Sequence, residues 1–258
     1  MVTGGYGVLG GSMAEGLAAA GVRVAILGRN CEAAEAKAEA LRRDGATAMA
    51  LVADVLAEGQ LCHAREQLLS AWGQVDVLIN AAGGHVPAAR TDHAPAFAMP
   101  LPAFDEVVRL NLHGTVYPTL AFGEAMARQK KGSVVNISSM AATQAVSGVL
   151  GYSVAKAAVE NFTRWMAVDL ARRYGEGLRV NAIAPGFFVA TQNRGVLVRP
   201  DGSFTERAGT ILARTPMGRF GDPVDLQGPV LWLCSDAASF VTGAVIPVDG
   251  GFSADSGI

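Results

Sequence analysis

The sequence predicts an α/β fold, a doubly wound parallel sheet of about seven strands with helices on both faces. Three observations predict it. Short apolar runs alternate with longer segments rich in Ala, Glu and Leu from one end of the chain to the other, as successive βαβ units require. Runs such as Val75-Asp76-Val77-Leu78-Ile79 carry apolar residues on both faces, which suits strands covered by helices on each side. A glycine-rich turn, Gly5-x-Gly7-x-x-Gly10, follows the first apolar run and opens a helical one.

The elements follow in order. Only Met1-Val2-Thr3 precede the glycines, short beside the roughly five or six residues of an ordinary strand, so the first strand is expected to be truncated, its start lying upstream. A helix is expected over 8–20, a strand over 22–27, a helix over 31–43, a strand over 47–52, a helix over 58–72 and a strand over 75–79. One long helix is expected over 104–128, then a strand over 133–137, a second long helix over 152–174, and strands over 179–183 and 245–248. No repeat or linker interrupts the series, so residues 1–258 are expected to form a single domain. Two stretches, 85–102 and 187–217, have no place in the alternation. Both follow strand ends, on the edge where open α/β sheets bind ligands, and they are expected to supply a substrate wall and a lid.

Composition narrows the function classes. Half of the 258 residues are apolar and 17% are charged, ample for a core. A net charge of −2 offers no field for nucleic acid or anionic lipid, and neither partner is expected. No apolar run reaches the ~18 residues of a membrane span, and no basic leader precedes the fold. Cys31, Cys62 and Cys234 are scattered and odd in number, which suggests reduced thiols and a cytoplasmic protein rather than a disulfide framework. His63, His85, His93 and His113 show no i, i+4 pairing and no cysteine nearby, so no metal is expected.

Glycines after a first strand let the backbone approach a pyrophosphate, which then sits on the positive end of the following helix, the signature of a Rossmann-type sheet. Gly4, Gly5, Gly7 and Gly10 are the candidates. Asp54 follows the third strand, where a carboxylate can accept from an adenine amino group. Asn80-Ala81-Ala82-Gly83 ends the fourth strand with small residues that leave room for a ribose. Pro185-Gly186 ends the sixth, with Thr191 beyond it. Each has a plainer reading: Asp54 as a helix cap, Asn80 as a turn residue, Pro-Gly as a loop breaker. Their placement at successive strand ends favours the nucleotide.

Tyr152-x-x-x-Lys156 sets a phenol and an ammonium on one helix face. A free tyrosine titrates near ~10. A neighbouring lysine and an oxidised nicotinamide both favour the phenolate, so Tyr152 can act as acid or base. Ser139 ends the fifth strand and can bond the substrate oxygen, whereas Ser138 is expected to be structural. Asn111 lies within the long predicted helix, where it can bend the helix and hold a water connecting Lys156 to solvent.

Together these residues resemble the short-chain dehydrogenase/reductase family across the whole chain: Thr3-Gly4-Gly5…Gly10, Asp54, Asn80-Ala-Ala-Gly83, Asn111, Ser139, Tyr152-Ser-Val-Ala-Lys156, Pro185-Gly186 and Asp249-Gly250-Gly251. The resemblance implies an enzyme that moves hydride between NAD(P)(H) and a carbonyl or secondary alcohol. It implies Asn111, Ser139, Tyr152 and Lys156 as the catalytic set and a Thr191 contact to the nicotinamide carboxamide. Val8 stands where the family has glycine, with Gly7 displaced by one position, and the usual Asn-Asn-Ala-Gly reads Asn-Ala-Ala-Gly. It also implies a homo-oligomer, a tetramer or at least a dimer, pairing through the two long helices.

Gly7-Val-Leu-Gly10, Pro185-Gly-Phe-Phe188, Gln192-Asn-Arg194, Thr215-Pro-Met-Gly-Arg-Phe220 and Gly250-Gly-Phe-Ser-Ala254 resemble the branch described as D-mannonate oxidoreductase or fructuronate reductase. The substrate implied is a small sugar acid. Arg194 is the first candidate for its carboxylate, with His85 or Arg90 second; each is otherwise a solvated loop residue. A polyol or gluconate-type dehydrogenase and a 3-oxoacyl-thioester reductase are the alternatives, and a non-enzymatic nucleotide-binding regulator would be expected to have lost part of the catalytic set.

Nucleotide choice turns on the end of the second strand, where an acidic residue would bond both ribose hydroxyls and repel a 2′-phosphate. Leu27-Gly28-Arg29-Asn30 has none. Gly28 is expected to leave space and Arg29 to meet a phosphate, so NADP(H) is expected ahead of NAD(H). If Arg29 only stacks on adenine and Asn30 bonds the ribose, NAD serves equally.

Overall fold

The structure is a computed structural model that describes residues 1–92 and 95–256; His93 lies outside them. Its strands are β1 (Val2–Thr3), β2 (Val24–Gly28), β3 (Ala48–Val52), β4 (Val77–Asn80), β5 (Gly132–Ile137), β6 (Leu178–Pro185) and β7 (Val245–Val248). They form one seven-stranded sheet in the order β3-β2-β1-β4-β5-β6-β7, parallel at every pairing. The helices are α1 (Val8–Ala19), α2 (Cys31–Arg43), α3 (Glu58–Trp72), α4 (Leu101–Val108), α5 (Gly114–Gln129), α6 (Leu150–Tyr174), α7 (Arg194–Leu197), α8 (Glu206–Ala213) and α9 (Gln227–Cys234).

Alternation along the strands divides the core. Ala25 and Leu27 of β2 pack with Leu61 and Leu68 of α3, Phe122 of α5 and Met166 of α6. Val24 and Ile26 face the other way, onto Met13 of α1, Leu41 of α2 and Leu233 of α9. Each strand of a doubly wound sheet must bury both faces, which is why its runs lack a polar side. The order in which strands are added reverses between β1 and β4, and this switch point opens the crevice in which such sheets hold ligands.

Local signals account for most boundaries. Asn30 caps α2 by accepting from the Ala33 amide at 3.0 Å, Glu32 lies in its first turn and Arg42 and Arg43 in its last, where each sign suits the helix dipole. Gly73 ends α3 at φ +78°, a conformation glycine adopts without strain. The helix expected over 104–128 is divided: a π-turn over Arg109–His113 separates α4 from α5. Segment 187–217 contains α7 and α8, and no helix was expected where α9 runs. Among the described residues no helix is long and apolar enough to cross a membrane.

Candidate active site

One cavity of about 510 Å³ runs along the carboxyl edge of the sheet, lined at one end by the glycine turn and at the other by Ser139, Tyr152 and Lys156. The turn fits a pyrophosphate because side chains are absent where the backbone folds on itself. A Cβ on Gly10 would come within 2.4 Å of the Gly4 carbonyl oxygen, and Gly4 adopts φ +62° with its neighbour Ala82 only 3.0 Å from such an atom. The first turn of α1 therefore stays open towards the cavity, with its amides available to an anion. Gly5 does not line the cavity; it lets the chain pass Ile26 and the Val2 carbonyl. The Thr3 hydroxyl accepts from the Ala81 and Ala82 amides at 3.1 Å, joining the ends of β1 and β4.

Ala81, Gly83, Pro185, Gly186, Arg29 and Asp54 line this cavity. Asn80 does not: it is 1% exposed, and its amide donates to Thr119 Oγ1 and Asn136 Oδ1, both at 2.8 Å. Asn136 continues the chain to Thr163 at 2.9 Å. Asn80 thus belongs to a buried polar ladder that ties β4 to β5 and α6, because its position in β4 turns its side chain into the helix layer. Thr191 is exposed and is not among the lining residues, whereas its neighbours Ala190, Gln192 and Asn193 are.

The end of β2 differs from expectation. Gly28 leaves no empty space: a Cβ there would come within 2.1 Å of Tyr6 Cε1. The Tyr6 ring covers the glycine, and its hydroxyl accepts weakly from the Asn30 amide at 3.4 Å. The Asn30 side chain is committed to capping α2. Arg29 stays 71% exposed, 3.9 Å from Asp54, and Asp54 also accepts from the Leu56 amide at 2.9 Å. Tyr6 was missed because an aromatic inside a glycine turn gives no one-dimensional sign of which strand end it will cover.

At the other end, α6 carries Tyr152 and Lys156 beneath β5. The Lys156 ammonium donates to the Ile137 carbonyl at 2.7 Å and lies 5.5 Å from the centre of the Tyr152 ring. Burial lowers Lys156 to about 8. Burial pushes the Tyr152 phenol above its ordinary value, while the hydrogen bond with Ser139 pulls it down. Ser138 turns away and donates to Glu160 at 3.1 Å, a structural role as expected.

Asn111 is fully buried within the π-turn. Its side chain accepts from the Gly84 amide at 3.0 Å and donates to the carbonyls of Gly84 at 2.8 Å and Val107 at 2.9 Å. A Cβ on the adjacent Gly83 would lie 2.7 Å from Asn111 Oδ1 and 3.6 Å from Lys156 Nζ. Asn111 therefore clamps the 83–84 turn beside the lysine. The extra residue of a π-turn is a common device for aiming a side chain at a site.

His85 stacks at 4.5 Å, tilted, against the Tyr152 ring. Its backbone amide donates to Gln192 at 2.9 Å, which binds the 85–92 segment to the 187–217 segment. Burial, followed by the charge of Arg90, lowers His85 to about 4, so the ring is neutral at physiological pH. Arg194 is exposed and lies outside the lining residues; it opens α7 with its side chain in solvent. The guanidiniums that do line the cavity beyond His85 are Arg90 and Arg207. Arg207 was missed because it sits in α8, in a segment without a readable pattern, and reaches the cavity only through the tertiary fold.

A switch-point cavity with a glycine cradle at one end and a Tyr/Lys/Ser set at the other defines a nucleotide-dependent dehydrogenase, and the chain belongs to the short-chain dehydrogenase/reductase family. The family model that matches it, over residues 7–253, is described as enoyl-(acyl carrier protein) reductase. It is 44% identical to an uncharacterised oxidoreductase, UxuB, of Bacillus subtilis strain 168, over 100% of this chain and 95% of the relative. Among solved structures it is similar to a Haemophilus influenzae protein provisionally assigned as a D-mannonate oxidoreductase and holding NAD, with TM-score 0.93 and 39% identity over 99% of this chain and 95% of that one. It is also similar to a gluconate 5-dehydrogenase of Burkholderia cenocepacia J2315 in complex with NADP and tartrate, with TM-score 0.88 and 32% identity over 98% of this chain and 94% of that one. The chain is an NAD(P)-dependent oxidoreductase acting on CH–OH groups of small molecules.

Proposed function

We propose that the chain interconverts a keto and a hydroxy sugar acid of the mannonate/fructuronate kind, with residues 1–258 acting as one catalytic unit and 187–217 as its lid. The observation that carries the reading is the meeting of Ser139, Tyr152 and Lys156 with the glycine turn in one cavity. When bound, the nicotinamide supplies or accepts the hydride. Tyr152 gives the proton to the nascent alkoxide, or takes it from the alcohol in the reverse direction. Ser139 bonds the same substrate oxygen and the phenol. Lys156, fixed on the Ile137 carbonyl, places positive charge beside the phenol and favours its ionised form. Asn111 holds the 83–84 turn against Lys156.

Gly4, Gly7 and Gly10 would cradle the pyrophosphate, Asp54 the adenine, and Ala81, Gly83, Pro185 and Gly186 the remaining nucleotide. Arg29 supports NADP(H), since its exposed guanidinium can meet a 2′-phosphate. The Tyr6 ring over Gly28 favours a second reading, NAD(H), because it occupies the space a phosphate would need. Leu120, Val154, Trp165 and Val168 are exposed apolar residues of α5 and α6, which supports pairing of these helices in a homotetramer. The decisive experiment follows NAD(P)H absorbance across ketoses, ketouronates and keto-esters. Ketouronate reduction is the expected outcome; turnover confined to keto-esters or acyl thioesters would replace the sugar-acid reading.

A further inference from the structure

Three chain segments meet over the substrate end of the cavity, and charged side chains join them. Arg90 Nε donates to Asp92 Oδ2 at 2.5 Å. Arg207 of α8 lies 3.5 Å from the other oxygen of Asp92 and donates to the Ser147 carbonyl and hydroxyl at 3.0 and 3.2 Å. The backbone closes tightly around this carboxylate. Thr91 donates to the Gly148 carbonyl at 3.2 Å, and Gly148, at φ +80°, would bring a Cβ within 2.2 Å of Asp92 Oδ1. Asp92 thus has a fixed seat between two guanidiniums.

That seat does not exhaust them. Arg90 is only 21% exposed, and among the described residues its two terminal amino groups take no hydrogen bond. These open donors are accessible rather than sealed in the core, so they can be offered to a ligand that enters the cavity. Both arginines line the same cavity as Ser139, Tyr152 and Lys156, and both act on His85, whose ring touches Tyr152. With His85 neutral, two guanidiniums share the single carboxylate of Asp92 in this cluster, among the described residues. A neutral polyol can accept from these donors only singly and without answering their charge, whereas a carboxylate fits the planar fork of a guanidinium with two charge-assisted bonds.

We propose that Arg90 and Arg207, oriented by Asp92, bind the carboxylate of the substrate, so that the molecule reduced or oxidised at Tyr152 is a hydroxy or keto acid; the proposal rests on the oxidoreductase reading above. A purely architectural cluster would tie the three segments together and treat all substrates alike.

The test compares wild type with Arg90→Gln and Arg207→Gln, which keep a planar amide beside Asp92. For each, KM is measured for a ketouronate and for the neutral ketose of the same carbon number. Tartrate is added as a hydroxy-acid competitor, and NADH affinity is followed by fluorescence. The expected result is an increase of about 10–100-fold in KM for the acid and in the inhibition constant of tartrate, with the neutral ketose and NADH within about twofold. Acid and neutral constants that rise together, or that both stay put, overturn the proposal and leave a structural cluster. A wild type that reduces ketoses but not ketouronates also overturns it while the oxidoreductase reading stands. If wild type reduces neither, the sugar-acid reading fails, and the pair is judged by tartrate binding to the NADH complex, followed by thermal shift: binding lost in both variants supports it, and binding unchanged overturns it.

Discussion

Gly4, Gly7 and Gly10 shape one end of the cavity by having no side chains, whereas Arg90, Arg207 and His85 shape the other with long ones. The first end is a stretch of contiguous backbone at the start of a helix, so its geometry is local. The second is assembled from three segments remote in sequence that meet through Asp92 and Ser147. A pyrophosphate is the same in every relative, and backbone amides suffice for it. A substrate differs between enzymes, and exchangeable side chains on loops are the means of changing it while the sheet is kept. Ser139, Tyr152 and Lys156, the proposed catalytic set, share this second end, with His85 against the Tyr152 ring.

The largest effect should separate the proposed chemistry from nucleotide and substrate binding. Tyr152→Phe is expected to lower turnover by about 10²–10⁴-fold while NADH affinity and substrate KM are kept, since only the proton transfer is removed. Lys156→Met should be at least as damaging. Stopped-flow or steady-state NAD(P)H absorbance measures the first and fluorescence titration the second. Turnover within a few-fold of wild type would detach Tyr152 from the chemistry.

The backbone-built end should be the less forgiving of the two. Gly10→Ala would set a methyl 2.4 Å from the Gly4 oxygen, a clash with main chain that no rotamer relieves. Relieving the clash displaces the turn, and a loss of about 1–3 kcal/mol in its hydrogen bonds to the pyrophosphate weakens NADH binding by roughly 5–150-fold. The expectation is that this loss appears with every substrate, acidic or neutral. A selective loss with acids would mean that the two ends are mechanically coupled.

Legibility follows the same division. The helices expected over 31–43 and 58–72 coincide with α2 and α3, whose ends carry local signals in Asn30, Glu32, Glu58 and Gly73. The π-turn at Arg109–His113 was not readable, since one extra residue leaves the apolar pattern on either side intact. Nor was α9, where Gly228 and Pro229 interrupt the helical signal. Asn80 was assigned to the cavity from its place at a strand end, but a one-residue difference in register turns a strand side chain to the other face. Arg194, the first candidate for the substrate carboxylate, is exposed and outside the cavity lining for a related reason. Which of several loop cations faces inward is decided by the fold: beside Arg29 at the nucleotide end, the arginines that line the cavity are Arg90 and Arg207.

A smaller effect concerns the charge shared between the chemistry and the substrate end. Lys156 is lowered to about 8 by burial, so its ammonium is present below pH 8 and is lost as pH rises through that value. Reduction should therefore fall by up to about tenfold per pH unit above 8. His85 is lowered to about 4, so it stays neutral from pH 5 upward and should add no limb near its ordinary value. A pH–rate profile at saturating nucleotide checks both. A limb centred near 6.5 would place a proton on His85 and remove the argument that the arginines alone supply the positive field.

The smallest expected effect falls at the outer edge of the nucleotide end, where a side chain does intrude. Tyr6 covers Gly28, so Gly28→Asp cannot place a carboxylate at the ribose unless the ring moves, and that substitution alone reports strain as much as recognition. Tyr6→Ser removes the ring and keeps a hydroxyl. If the ring limits access to a 2′-phosphate, Tyr6→Ser should improve NADP(H) relative to NAD(H) by roughly fivefold to tenfold, about 1 kcal/mol. Adding Arg29→Ala should reverse that gain, because the guanidinium is then absent when space appears. Competition of adenosine 2′-phosphate and adenosine 5′-phosphate against NADH reads the same contrast without turnover. If Tyr6→Ser weakens both nucleotides equally, the ring is a stacking platform for the ribose rather than a barrier, and nucleotide choice rests on Arg29 alone. If Arg29→Ala leaves the ratio unchanged in both backgrounds, neither residue discriminates, and the end of β2 accepts NAD and NADP alike.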